Sequence, residues 1–142
     1  MIKTLFHILN TVFLVLYLYP GSIIGYVIYG NLLKQPQITS DFIVSSNHVY
    51  AFALLSFFAL GSYYGNKKNL ITGYLFFISV FLEISHLFIP NRGFQYSDLF
   101  GNIIGVLILL LLFNLISYWR KKWTLLRIEK KALKINLLMM RN

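Results

Sequence analysis

Two of the three histidines and two of the four acidic residues, His48, His86, Glu83 and Asp98, fall within or beside strongly apolar stretches. Ionisable groups are expensive in such surroundings, so each needs a partner or a use. Glu83 and His86 are three residues apart and share a helix face; Asp98 and Asn102 are four apart and share another. Arg92 stands between the two pairs, and His48 follows Asn47 at the head of a separate apolar run. Together His48, Glu83, His86, Arg92, Asp98 and Asn102 form a candidate substrate-binding set. Arginine and histidine suit phosphate or polar headgroups, while the carboxylates suit hydroxyls or amines.

The same residues permit other readings. His48, Glu83, His86 and Asp98 offer nitrogen and oxygen ligands for zinc or manganese, and such an ion would activate water for hydrolysis. The Glu83-x-x-His86 spacing is that of carboxylate-bridged metal sites, but the second copy and additional glutamates of those sites are missing, so no cofactor is expected. The structural alternatives are simple. Asp98 suits a helix first turn, Arg92 can snorkel, His48 can sit at an interface, and Asn102 can bond between helices. Glu83 is the hardest to explain that way. A continuous helix to Pro90 would place it about 10 Å, or two turns, below the helix end, where an unpaired carboxylate costs several kcal/mol.

These residues must be positioned by membrane helices. The chain of 142 residues is 58% hydrophobic and 12% charged, against roughly 25% charged for soluble domains, so a soluble fold is not expected. Uncharged runs of spanning length cover Leu5 to Tyr29, Val49 to Tyr64, Leu70 to Leu87 and Leu99 to Trp119. The fold class expected is all-α: a four-helix transmembrane bundle over residues 1–119, with a basic amphipathic tail over 120–142. The runs are continuous rather than alternating, which argues against a β-barrel. Lys3 before an apolar region resembles a secretory signal, but the run continues through Ile28 with no A-x-A-like site, so a retained helix is expected, kinked at Pro20 and Gly21.

Local signals refine the boundaries. Ser45, Ser46 and Asn47 are good N-cap residues for the second helix, Pro90 stops the third after Ile89, and Ser97 with Asp98 opens the fourth. Gly21 with Gly25, Gly61 with Gly65, and Gly101 with Gly105 each make a G-x-x-x-G spacing that permits close helix contact. With no cysteine in the chain, disulfides, thiolate metal sites and cysteine nucleophiles are excluded.

Lys3, Lys67, Lys68 and eight basic residues from Arg120 to Arg141 would share one side, leaving Lys34 and Arg92 on the other. The positive-inside rule then puts both termini of a multi-pass protein in the cytoplasm. In the tail, Arg127, Lys130, Lys131, Lys134 and Arg141 form one stripe opposite Leu125, Leu126, Ile128, Ala132, Leu133, Met139 and Met140, the pattern of a helix on a membrane surface. Glu129 falls on the apolar side without explanation. The apolar face argues against nucleic acid as a partner, so membrane lipids are expected, with a larger membrane complex or homo-oligomer as further partners.

The series Glu83-Ile-Ser-His86, Pro90-Asn-Arg92 and Ser97-Asp98-Leu-Phe-Gly-Asn102-Ile-Ile-Gly105 resembles the signature of VanZ-like membrane proteins, roughly E-x-x-Q, P-x-R and D-x-x-x-N-x-x-G. The segment from Asn47-His48 into the second apolar run is similar to an earlier motif of that family. His86 stands where the family usually has glutamine, and Asn47 where a charged residue is common. The resemblance covers about two thirds of the chain. It implies kinship with a glycopeptide-resistance accessory protein of the bacterial cell envelope, without fixing a molecular activity. The expected function is therefore recognition of an envelope lipid or lipid-linked substrate at the outer leaflet. A structural accessory subunit and an intramembrane metal-dependent hydrolase are the alternatives.

Overall fold

In the computed structural model, residues 1–65 and 67–139 are described, and of Lys134, Ile135, Leu137 and Leu138 the backbone alone. Met140 and Arg141, assigned above to the two faces of the tail, lie outside the described residues. Five α-helices and no strand occur among the described residues: α1 (Ile2–Leu18), α2 (Ile23–Tyr29), α3 (Ser46–Tyr63), α4 (Lys68–Ser85) and α5 (Tyr96–Met139). Helix α4 and the stretch Tyr96–Leu133 of α5 are long and apolar enough to cross a membrane; α1 with α2 makes a third such unit if the bent pair is one span. Helix α3 has 18 residues but carries Asn47 and His48 in its first turn, which lowers its apolar content.

The first apolar stretch is not one kinked helix. It breaks after Leu18, and α2 leaves α1 at 78°. The break follows from Pro20, which cannot supply the amide hydrogen that would continue the ladder, and Gly21, which takes φ +95°. Ser22 then caps α2, its hydroxyl accepting from Gly25 N at 2.9 Å. Gly30 ends α2 in the left-handed region, and the chain doubles back so that Ser22 N donates to Leu32 O at 2.7 Å. A Cβ on Gly21 would stand 2.8 Å from Leu32 O, and one on Gly25 would collide with Lys34 O. The first glycine pair therefore admits the chain's own return rather than a neighbouring helix. Gly65 has open space around its Cβ position, so the second pair does not mark a close contact at that residue.

Helix α3 begins at Ser46, three residues ahead of the expected apolar run, and its cap comes from elsewhere. Ser45 occupies the N-cap position but its side chain does not cap the helix, while Asp41 Oδ1 accepts from Ser46 N at 2.7 Å. That amide holds the exposed Asp41 carboxyl below the usual carboxylate range. Asn47 faces the preceding loop, accepting from Ile38 N at 3.0 Å and donating to Pro36 O at 2.7 Å.

Helix α4 ends at Ser85, with His86 as its C-cap, rather than running to Leu87 or Ile89. His86, Leu87 and Phe88 donate instead to carbonyls three residues back, the tighter pattern common at helix ends. Glu83 consequently sits in the last turn of α4 and not two turns below its end.

The chain divides into two compact units, Met1–Leu110 and Leu111–Asn142. The first has a core of Phe52, Leu55, Ala59, Leu60, Leu75, Leu82 and Val106, all nearly or fully inaccessible. At one end of this unit His7 bonds Tyr63 at 2.9 Å, and Lys3 lies over the Tyr63 ring. In the second unit the backbone stays helical through Trp119 and Arg120, with no break where the tail was expected to begin. Leu125, Leu126, Ile128 and Leu133 of its apolar stripe are exposed.

Candidate functional site

Close approach of α3 and α5 builds the site. A Cβ on Gly101 would lie 2.7 Å from Ser45 O and 3.0 Å from His48 Cβ, and one on Gly105 would lie 2.6 Å from Val49 O. Only hydrogen fits at these two positions. One turn of α5 separates them, so both press on α3 and bring Asp98 and Asn102 against His48. Ser45 N also donates to Ser97 O at 3.1 Å, joining the two helix starts.

Asn102, fully buried, fixes the chemistry of His48. Its Nδ2 donates to Ser79 O on α4 at 3.1 Å, so its Oδ1 must face His48 Nδ1, 2.8 Å away. A carbonyl oxygen only accepts, so Nδ1 carries the hydrogen and the lone pair of the neutral ring is left on Nε2. Nε2 in turn faces Asp98 Oδ2 at 3.4 Å. A lone pair and a carboxylate repel, so this approach is attractive only when a proton or another cation stands between them.

Glu83 and His86 repeat the arrangement. His86 Nε2 lies 3.1 Å from the Tyr17 carbonyl and must be its donor, which turns Nδ1 toward Glu83 Oε2 at 3.3 Å. Glu83 Oε1 accepts from Gln95 N at 2.9 Å. Oε2 has ion-pair distance to His86 but not hydrogen-bond alignment, and it is inaccessible to water. The pair therefore leaves one carboxylate oxygen buried and unsatisfied.

Arg92 approaches the same region from the loop before α5. It donates through Nη2 to Leu16 O at 3.0 Å and through Nε to Tyr19 O at 3.4 Å, covering carbonyls that the break after Leu18 leaves without amide partners. Burial lowers its pKa from the ordinary arginine value, and the neighbouring Glu83 and Asp98 carboxylates oppose that shift. One role of Arg92 is thus to hold the end of α1.

The structure brings together all six expected residues, His48, Glu83, His86, Arg92, Asp98 and Asn102. Asn47, which precedes His48, bonds to the preceding loop instead. Tyr17 of α1 is an addition: its hydroxyl lies 3.3 Å from His48 Nδ1 and 3.4 Å from Asn102 Oδ1, and its ring stacks on His86 with centroids 6.0 Å apart. A tyrosine in the middle of the first apolar stretch, whose hydroxyl needs a partner when buried, was the available signal. Hydrogen bonds centred on Asn102 and His48 thereby link α1, α3, α4 and α5.

His48 and Arg92 also line a cavity of about 450 Å³. Its walls are mainly apolar, with Phe13, Leu16, Ile24, Ile28, Ala51 and Leu54 prominent, and Ser22, Gln35, Gln37 and Asn47 add polar groups. The shape suits a molecule with an apolar body and a polar end. No family model, curated protein or solved structure matches this chain.

Proposed function

We propose that this protein is a multi-pass membrane protein of the bacterial envelope that recognises a lipid or lipid-linked substrate through the cavity beside His48 and Arg92. The observation that carries the reading is the junction of an apolar cavity with a buried polar network at the same two residues. An acyl or isoprenoid chain would occupy the apolar walls, and the guanidinium edge of Arg92 with the His48 ring would meet phosphate or a polar headgroup. In this reading α1 with α2, α3, α4 and α5 supply four passes. Both termini are cytoplasmic by the charge asymmetry, and the site lies toward the outer leaflet. For the basic tail to lie on the inner membrane surface, as its stripes suggest, α5 would have to bend after its spanning part, because the helix runs unbroken to Met139.

The VanZ-like assignment is part of this proposal. It rests on Glu83, His86, Arg92, Asp98 and Asn102, the side chains of the three motif segments, which meet around one network in the fold. A role as accessory subunit of a larger complex uses the same network as internal glue, and exposed Phe42, Ile43 and Phe88 would be its docking residues.

Filling the cavity tests the reading. Ala51→Trp adds bulk to its wall without removing a group of the polar network. The full chain, purified in mild detergent with chelator present, should retain a polyprenyl phosphate or anionic phospholipid in native mass spectra, and the variant should lose at least about tenfold of that occupancy, roughly 1.4 kcal/mol. Equal retention by a folded Ala51→Trp chain would replace lipid recognition with the accessory-subunit reading.

A further inference from the structure

We propose that His48, Asp98 and Glu83 bind one divalent cation of the zinc–manganese class. One ligand atom from each of the three residues lies within 4.8 Å of the other two. The His48 Nε2 to Asp98 Oδ2 distance of 3.4 Å is the separation expected for two donors on one ion, since bonds of about 2.1 Å at a near-tetrahedral angle span about 3.4 Å. Glu83 completes the set after a small side-chain rotation.

Two independent features point to an ion at this place. The Asn102 oxygen holds the hydrogen of His48 on Nδ1 and so presents Nε2 with its lone pair to the carboxylates, the tautomer and orientation in which histidine binds metals. Glu83, fully buried, has an oxygen with no hydrogen-bond partner. A divalent ion would supply both with what they lack, and its two charges would neutralise two carboxylates withdrawn from water. One imidazole nitrogen with two carboxylate oxygens is a mixed set that favours zinc or manganese over the all-oxygen sites of calcium and magnesium. Because His48 also lines the cavity, an ion held here would have its remaining positions near whatever the cavity contains.

This inference goes beyond lipid recognition and does not depend on it. The test uses the full chain in detergent, delipidated and treated with chelator, then titrated with Zn²⁺ or Mn²⁺ alone and desalted for metal analysis. The expected result is one ion per chain, with at least tenfold weaker binding for His48→Gln and for Asp98→Asn and no change for His7→Gln, whose histidine lies beside Tyr63. No bound ion above background in the wild type, or equal binding by folded His48→Gln and Asp98→Asn chains, would overturn the proposal and leave protons as the cations of the cluster. If the variants do not fold, X-ray absorption of zinc on the wild-type chain decides the matter. Scattering from one imidazole among oxygen ligands supports the site, and scattering without imidazole rejects it.

Discussion

Gly105→Leu should abolish the folded state or lower its stability by at least about 3 kcal/mol. A side chain there would begin 2.6 Å from Val49 O and 2.9 Å from both Ala53 N and Phe52 Cβ, so the backbone of α3 itself would have to retreat. Phe52 is completely buried, which leaves no room to absorb the shift by turning its ring. The separation would also carry Asp98 and Asn102 away from His48, so binding at the cluster should fail together with stability. Gly73→Ala in α4 is the contrasting change. Nothing lies within 4 Å of its Cβ position, and alanine should be neutral or stabilising by up to about 1 kcal/mol through helix propensity. Thermal unfolding of both purified variants in one detergent checks the pair. A Gly105→Leu chain as stable as the wild type would mean that α3 and α5 do not meet as described.

Asn102→Leu is expected to cost about 2–4 kcal/mol although the replacement is close in size. It removes the bonds to His48 Nδ1 and Ser79 O, and it leaves the Nδ1 hydrogen only the longer Tyr17 hydroxyl contact at 3.3 Å. The His48 ring then loses the acceptor that sets its tautomer. Tyr17→Phe removes only the two longer hydroxyl contacts, at 3.3 and 3.4 Å, and should cost less than about 1 kcal/mol. Denaturant or thermal unfolding gives the stability order. The nitrogen chemical shifts of His48 report the tautomer, which should remain Nδ1–H in Tyr17→Phe and become mixed if Asn102→Leu folds. Equal stability of the two variants would deny Asn102 its central place.

The sequence was most informative where one residue type has one cheap explanation. Glu83, Asp98 and Asn102 are costly in apolar surroundings, and their spacing along two helices already put them on common faces. Gly101 and Gly105 carried the packing signal that the structure bears out at the α3–α5 contact. The identical spacing of Gly21 and Gly25 meant something else, because spacing alone does not say whether a helix or the chain's own return fills the space. A kink at Pro20 and Gly21 was legible, but the full break and its 78° angle go with the Ser22 cap and with the Ser22–Leu32 bond, which joins residues ten apart through a loop with no periodic pattern. Pro90 suggested too long a third helix, because the tightened turn at His86 coincides with a bond from its ring to the Tyr17 carbonyl on another helix, which local signals do not show. The tautomer of His48 was out of reach of any one-dimensional reading, as it depends on which way Asn102 turns.

The proposed lipid recognition requires an amphiphilic lipid in the cavity beside His48 and Arg92. Photo-crosslinking in membranes with a polyprenyl phosphate or anionic phospholipid carrying a diazirine on its tail, followed by peptide mapping, tests it most directly. Label should concentrate on Ile23–Ile28 and Ala51–Leu54, be competed away by unlabelled lipid and be lost in Ala51→Trp. Label spread over outward-facing residues such as Leu70, Phe77 and Phe81, with no competable excess at the cavity, would contradict it.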